Sequence, residues 1–309
     1  MKKKLSLFLI ITMLALGAFS GCGDEEATEE TTAEDKMIAQ AIENVQNASS
    51  ASYEMTMDMS MAVTAGEESQ NIDMTTGGSV QYLNDPMSMS MIMTMDMGDI
   101  AGTGENVVME TESYGEVVDD NFVMYTRVED QWTKQTVGSA EEMQQYNTAN
   151  TMGVYLEAMD SFTEEGVEEV NGSEATKYTG VISGDDLQAV IDNMAGLSDQ
   201  MATLGLDEAS LSTLYADAGD MAVAIWIDNA TVMPVKYEMD MAAMMQNIMD
   251  KLLSNMDTSE IGEMSYNISN MFISMTVTGY DNVEAIEIPE EARSAQELSE
   301  ATLEEAAAE

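Results

Sequence analysis

The chain has 309 residues, 45% of them apolar, with 58 acidic against 10 basic side chains and no histidine, for a net charge of −48. That much negative charge repels nucleic acid and anionic headgroups. A single cysteine and no histidine rule out an intrachain disulfide and the usual nucleophile–base pairs of covalent catalysis, while the apolar share is too high for a disordered chain.

The N-terminus opens with "MKKK" and the apolar run "LSLFLIITMLALGAF". A basic start and a run of this length predict a signal peptide over residues 1–21, too short for a permanent membrane span. The run closes on "FSGC", in which Ser20 and Gly21 before Cys22 resemble a bacterial lipobox. The resemblance implies cleavage before Cys22 and acylation of its thiol and new N-terminus. The alternative is an ordinary secretory signal in which Cys22 is incidental. Each buried acyl CH₂ contributes about 0.8 kcal/mol, so two or three chains anchor where one does not. The expected location is therefore the outer face of the cell membrane, held by the lipid on Cys22. Loss of Lys2, Lys3 and Lys4 would leave 7 basic against 58 acidic residues, a net charge of −51. Residues 22–34 carry Cys22 and then "GDEEATEETTAE", which reads as a solvated acidic tether.

A domain is expected over residues 35–292. Met37, Ile38, Ala41, Ile42 and Val45 recur at helical spacing after Asp35, predicting a helix over about 36–47. From residue 52 the period changes to two. Tyr53, Met55, Met57, Met59, Met61 and Val63 face one way, and Glu54, Thr56, Asp58, Ser60 and Thr64 the other, as in a half-buried strand. "NIDMTTGGSVQYL" follows, then "PMSMSMIMTMDM" with Met89, Met91, Met93 and Met95 in the same rhythm and Pro86 at its start. "ENVVMETESYGEVV", "NFVMYTRV" and "QWTKQTV" complete six strands, an antiparallel meander with turns at 119–121 and 129–131. Helices are expected from Ser139, over "SGDDLQAVIDNMAGL", and over "DEASLSTLYADA". Between them "VEEVNGSEATKYTGVIS" is a hairpin turning at Asn171-Gly172, and "DMAVAIWIDNATVMPVKYEMDM" another turning at Asp228 to Thr231. "AAMMQNIMDKLLSNM" is an amphipathic helix and "SYNISNMFISMTVTGYDNV" the last long strand. Residues 293–309 form an acidic tail. The fold class is α+β: one large curved antiparallel sheet with helices grouped on one face.

The order of elements, with "QWTK" at 131–134, "VNGSEATKYTGVISGDDLQAVI" at 170–191, "IWIDNATVMPVKYEMDM" at 225–241 and "TVTGYDNVEAIEIPEEA" at 276–292, resembles the LolA and LprG–LppX-like lipoprotein carriers. It is nearest to lipoproteins of that type in Gram-positive bacteria. The resemblance implies a half-barrel whose concave apolar face, lidded by helices, holds acyl chains. It places Trp132 as a strand aromatic, and Trp226 and Asp228 in a strand that ends in an Asp turn. Two departures stand out: methionine replaces much of the branched aliphatic lining, and 242–264 adds a helix. No arginine matches a lid-latching place, Arg127 and Arg293 being the only two in the chain.

The methionine stripes admit three readings. Thioethers suit Cu(I), but a three-coordinate ion needs far fewer than these stripes provide, and no histidine assists. Methionine also fills irregular cores as an unbranched, polarizable side chain. The third reading is an adaptable lining for a greasy ligand. On that reading Met55, Met57, Met59, Met61, Met89, Met91, Met93 and Met95 line or underlie a pocket for a lipid or acyl chain. The segments 139–160 and 185–217 would be its moving parts. The alternative is a cell-envelope interaction or scaffold lipoprotein with a filled core. Neither reading needs a cofactor, and neither is an enzyme: "GTGENV" lacks the phosphate-binding lysine and the dinucleotide spacing.

Overall fold

The alternation that begins near residue 50 becomes strand over most of the described residues. The computed structural model describes residues 33–66, 68–99, 104–128, 131–144, 156, 162–184, 218–255 and 264–297. Helix α1 (Ala33–Gln46) leads into β1 (Ser50–Ala65), β2 (Glu68–Asn84), β3 (Met87–Asp96), β4 (Val108–Val118), β5 (Asn121–Val128) and β6 (Gln131–Ser139). The expected six-stranded meander is present. A short α2 (Ala140–Gln144) follows, then the hairpins β7 (Thr163–Val170) with β8 (Ser173–Ile182) and β9 (Met221–Asp228) with β10 (Pro234–Asp240). Helix α3 (Ala242–Asn255), β11 (Met264–Tyr280), α4 (Glu290–Arg293) and β12 (Gln296–Glu297) complete the described elements.

All twelve strands form one sheet in the order β12-β6-β5-β4-β3-β2-β1-β11-β10-β9-β8-β7. Every pairing is antiparallel except that of β12 with β6. The two edges, β12 and β7, do not pair, so the curved sheet stays open as a half-barrel of the α+β class. The edge strand β7, "TEEGVEEV", is protected by exposed Glu164, Glu165, Glu168 and Glu169 and by a bulge at Gly166.

Local chemistry explains the corners. Asn171 and Gly172 both have positive φ, 51° and 82°, the conformation a two-residue hairpin turn demands. Asp228 closes the β9–β10 turn by accepting from the Ala230 amide at 3.0 Å, the Thr231 amide at 2.7 Å and the Thr231 hydroxyl at 2.8 Å. Burial pushes the Asp228 carboxyl up, but the Thr231 and Ala230 donors hold it below its ordinary value. Helix α1 begins at Ala33, so Asp35 lies in its first turn rather than before it. Of the helix expected from Ser139, residues 140–144 form α2 and Leu156 is buried; the rest of it, and nearly all of those expected over 183–197 and 207–218, lie outside the described residues.

The two faces of the sheet are covered differently. On one, Ile38, Ala41 and Val45 of α1 and Met244 and Ile248 of α3 pack with Tyr53, Val223, Ile225, Tyr237 and Val277. Helix α3 is also clamped to β11: the Gln246 amide donates to the Tyr266 carbonyl at 3.1 Å and its carbonyl oxygen accepts from the Ile268 amide at 2.7 Å. On the opposite face Ile286, Ile288 and Ala292 of the C-terminal segment cover Tyr114, Tyr125 and Trp132. Trp226 lies on that outer face too. Lys177 and Lys236 stand 4.7 and 4.4 Å from its ring, and its indole nitrogen donates to Glu168 at 2.8 Å.

Candidate functional site

Along β1 the helix-bearing face reads Ala51, Tyr53, Met55, Met57, Met59, Met61 and Val63. Register carries that face across the sheet, because residues directly opposite in an antiparallel pair share a side. One row runs Met275–Met55–Gly78–Met93–Thr111 from β11 to β4. The next runs Ile273–Met57–Thr76–Met95–Met109. Beyond it Met271, Met59 and Met74 stand side by side on three adjacent strands. In the other direction come Val277–Tyr53–Val80–Met91 and Tyr280–Ala51–Tyr82–Met89.

All eight methionines singled out in the sequence therefore lie on one face, and all eight are half-buried. Met89 packs against the core under α1. The two stripes are separated by β2, which has Gly78 between Met55 and Met93. A Cβ added at Gly78 would lie 2.6 Å from the Met93 sulfur, so the thioether occupies the space a side chain would take. Of the expected lid segments, residues 139–144 close β6 and form α2, and Leu156 is buried in the core cluster; the rest of them and Cys22 lie outside the described residues.

One feature of this face was not picked out in the sequence. Tyr53 and Tyr82 stack with centroids 6.1 Å apart, and Tyr237 and Tyr280 join them from β10 and β11. Burial first, then neighbouring phenols, push Tyr53, Tyr237 and Tyr280 well above the ordinary phenol range, and burial pushes Tyr82 up to about 12. They are protonated donors at any physiological pH. The signal in sequence was slight: Tyr53 continues the methionine alternation by one step, whereas Tyr82, Tyr237 and Tyr280 reach it only through register.

The face offers apolar, polarizable surface with a few buried hydroxyls. Among the described residues no three carboxylate or cysteine side chains converge as a metal-ligand set. The row Met271–Met59–Met74 is the soft-donor arrangement that the register provides. No described helix is long and apolar enough to cross a membrane.

The sequence profile of a family described as "Family of unknown function (DUF6612)" matches residues 33–297. No curated protein matches the chain. Among solved structures, LprF from Mycobacterium bovis is similar at 13% identity and a TM-score of 0.42, over 83% of this chain and 96% of that one. Lipoprotein LppX from Mycobacterium tuberculosis is similar at 14% identity and a TM-score of 0.37, over 82% and 97%. A LolA superfamily protein from Nitrosomonas europaea has 9% identity and a TM-score of 0.19, over 82% and 94%. These neighbours are of the kinds anticipated by the sequence resemblance.

Proposed function

The chain belongs to DUF6612, a family of unknown function, and we propose that it is a membrane-anchored extracytoplasmic lipoprotein that binds a hydrophobic ligand, a lipid or acyl chain, against its methionine-bearing sheet face. The observation that carries this reading is the convergence of both methionine stripes on one half-buried face. A core filled for stability alone favours side chains of defined shape, whereas flexible thioethers suit ligands of variable shape. From Met55 to Met61 the strand extends about 20 Å, the length of a long acyl chain. Chains would pass between this face and the helices, with segments 139–160 and 185–217 as the moving parts. Acyl groups on Cys22 would hold the protein at the outer face of the cell membrane, and the acidic surface would keep the domain off anionic headgroups.

The test is chemical. The full chain carrying Cys22→Ser, which has no anchor lipid of its own, is expressed in a bacterial host and purified without detergent. Its organic extract is then read by mass spectrometry. The expected result is a lipid in near-stoichiometric amount, lost in a Met57→Asp/Met93→Asp variant that is still exported. A folded protein without lipid, from both the expression host and the native one, would favour the filled-core scaffold instead.

A further inference from the structure

Strand register assembles what neither methionine stripe shows alone. The row Met271–Met59–Met74 continues at both ends. Asp240 stands opposite Phe272 at the end of β10, and the next residue, Met241, donates its amide to the Met271 carbonyl at 2.8 Å, so Met241 lies opposite Met271. At the other end Asp96 stands opposite Thr75, which sets Met97 against Met74. The two segments stay close there, since a Cβ on Gly98 would lie 3.2 Å from the Asp73 carbonyl oxygen. Met241, Met271, Met59, Met74 and Met97 thus cross the sheet in one line, and all of them are half-buried. The rows on either side are mixed: Ile273, Met57, Thr76 and Met95 on one, Ile268, Met61 and Ile72 on the other.

The direction of the line decides its chemistry. Methionines along one face of a strand are about 6.5–7 Å apart. Side chains directly opposite on paired strands have Cβ atoms about 4.5–5.5 Å apart. A thioether sulfur lies two bonds beyond its Cβ, so three consecutive members of the row can turn their sulfurs toward one point above the middle strand. Uncharged, polarizable sulfur selects Cu(I) over the harder divalent ions, which prefer oxygen or imidazole. The stripes along the strands hold more methionines than such an ion needs, but the line across them brings three together at the closer spacing. Asp58, Asp73, Asp96 and Asp240 each precede a methionine of the row and so point to the other face of the sheet. They leave the row's donors neutral, while their negative potential favours a cation on it. An adaptable apolar lining calls for methionine in general, not for an unbroken line of it across the strands.

We propose that Met271, Met59 and Met74 bind one Cu(I) ion, with Met241 and Met97 as the next donors on either side. The ion enters and stays as Cu(I), so no electron is transferred. The assignment goes beyond the lipid-binding reading and does not rest on it.

The experiment uses the full chain carrying Cys22→Ser, which removes the thiol. The chain is delipidated, because the row crosses the proposed acyl path at Met59. Cu(I) is supplied without oxygen, in ascorbate, and the protein competes for it with a colorimetric Cu(I) chelator. One equivalent should be retained. It should be lost in Met59→Leu/Met271→Leu, since leucine keeps the volume and apolarity and removes only the sulfurs. It should be kept in Met124→Leu/Met233→Leu, which removes as many thioethers elsewhere. X-ray absorption at the copper edge of the unsubstituted chain should show sulfur neighbours only, and this reading decides even where the double variant does not fold. No retained Cu(I), or oxygen or nitrogen neighbours around it, would overturn the site. Retention in both variants, or equal loss in both, would overturn its assignment to this row. Lipid binding is read separately, from the organic extract, and stands or falls on that.

Discussion

Gly77 and Gly78 are adjacent and look alike in the sequence, but the structure gives them opposite roles. A Cβ on Gly77 would meet its nearest atom, the Met55 carbonyl oxygen, at 3.9 Å, an ordinary contact. A Cβ on Gly78 would collide with the Ile92 carbonyl and lie 2.6 Å from the Met93 sulfur. Alanine in a strand normally gains about 0.5–1 kcal/mol over glycine, because glycine loses more freedom on folding. Gly77→Ala should follow that rule and be neutral or stabilising. Gly78→Ala should cost about 1–3 kcal/mol, the usual range for overpacking. Urea unfolding of the two variants checks the contrast, and equal midpoints would contradict the close approach of β3 to β2. Met93→Ala should recover part of the Gly78→Ala loss but not all of it, since the Ile92 carbonyl remains.

At the scale of elements, the C-terminal segment shows how an ion pair can hold a strap without contributing much to global stability. Arg293 donates to both oxygens of Glu116, at 2.8 and 2.9 Å, and Tyr125 donates to the same carboxylate at 3.0 Å. The Arg293 hydrogen bond is the main cause that holds the Glu116 carboxyl below its usual range, with Tyr125 adding to it against burial. Arg293 is half exposed, so Arg293→Ala should cost only about 0.5–1 kcal/mol globally. It should release residues 286–297 locally, seen as faster amide exchange there than in β1. The pH dependence has a definite sign. A carboxyl with a lowered folded pKa stabilises the fold fully above its unfolded value of about 4.3, and that stability is lost as pH falls through the folded value. The difference between Arg293→Ala and the unsubstituted chain should therefore be constant near neutrality and vanish in acid. The strands, the two hairpins and α3 were legible in the sequence because alternation, Asn-Gly and the Asp turn are local signals. The strap was not, since Ile286, Ile288 and Ala292 are too few to set a period and β12 has only two residues. The tyrosine cluster was hidden for a different reason: positions 53, 82, 237 and 280 meet only once four strands are in register.

For the molecule as a whole, charge sets how it responds to its solvent. A net charge of −48 leaves carboxylates facing one another over much of the surface, and the ion pairs Arg127–Glu112, Lys236–Glu238 and Arg293–Glu116 occupy three of the few cations. Two electrostatic terms then compete as salt is added. Screening weakens the ion pairs, each worth at most about 1 kcal/mol at this exposure. It also weakens the repulsion among the acids, which is spread over many more pairs and reaches further. Between 10 mM and 150 mM salt the screening length falls from about 30 Å to about 8 Å, which cuts long-range repulsion most and contact pairs least. Repulsion should therefore win, and the melting temperature should rise with sodium chloride by about 2–6 °C over that range, the shift expected for 1–2 kcal/mol in a chain this size. Differential scanning calorimetry at constant pH reads it directly. A melting temperature that falls with salt would mean that the few ion pairs outweigh the acidic surface.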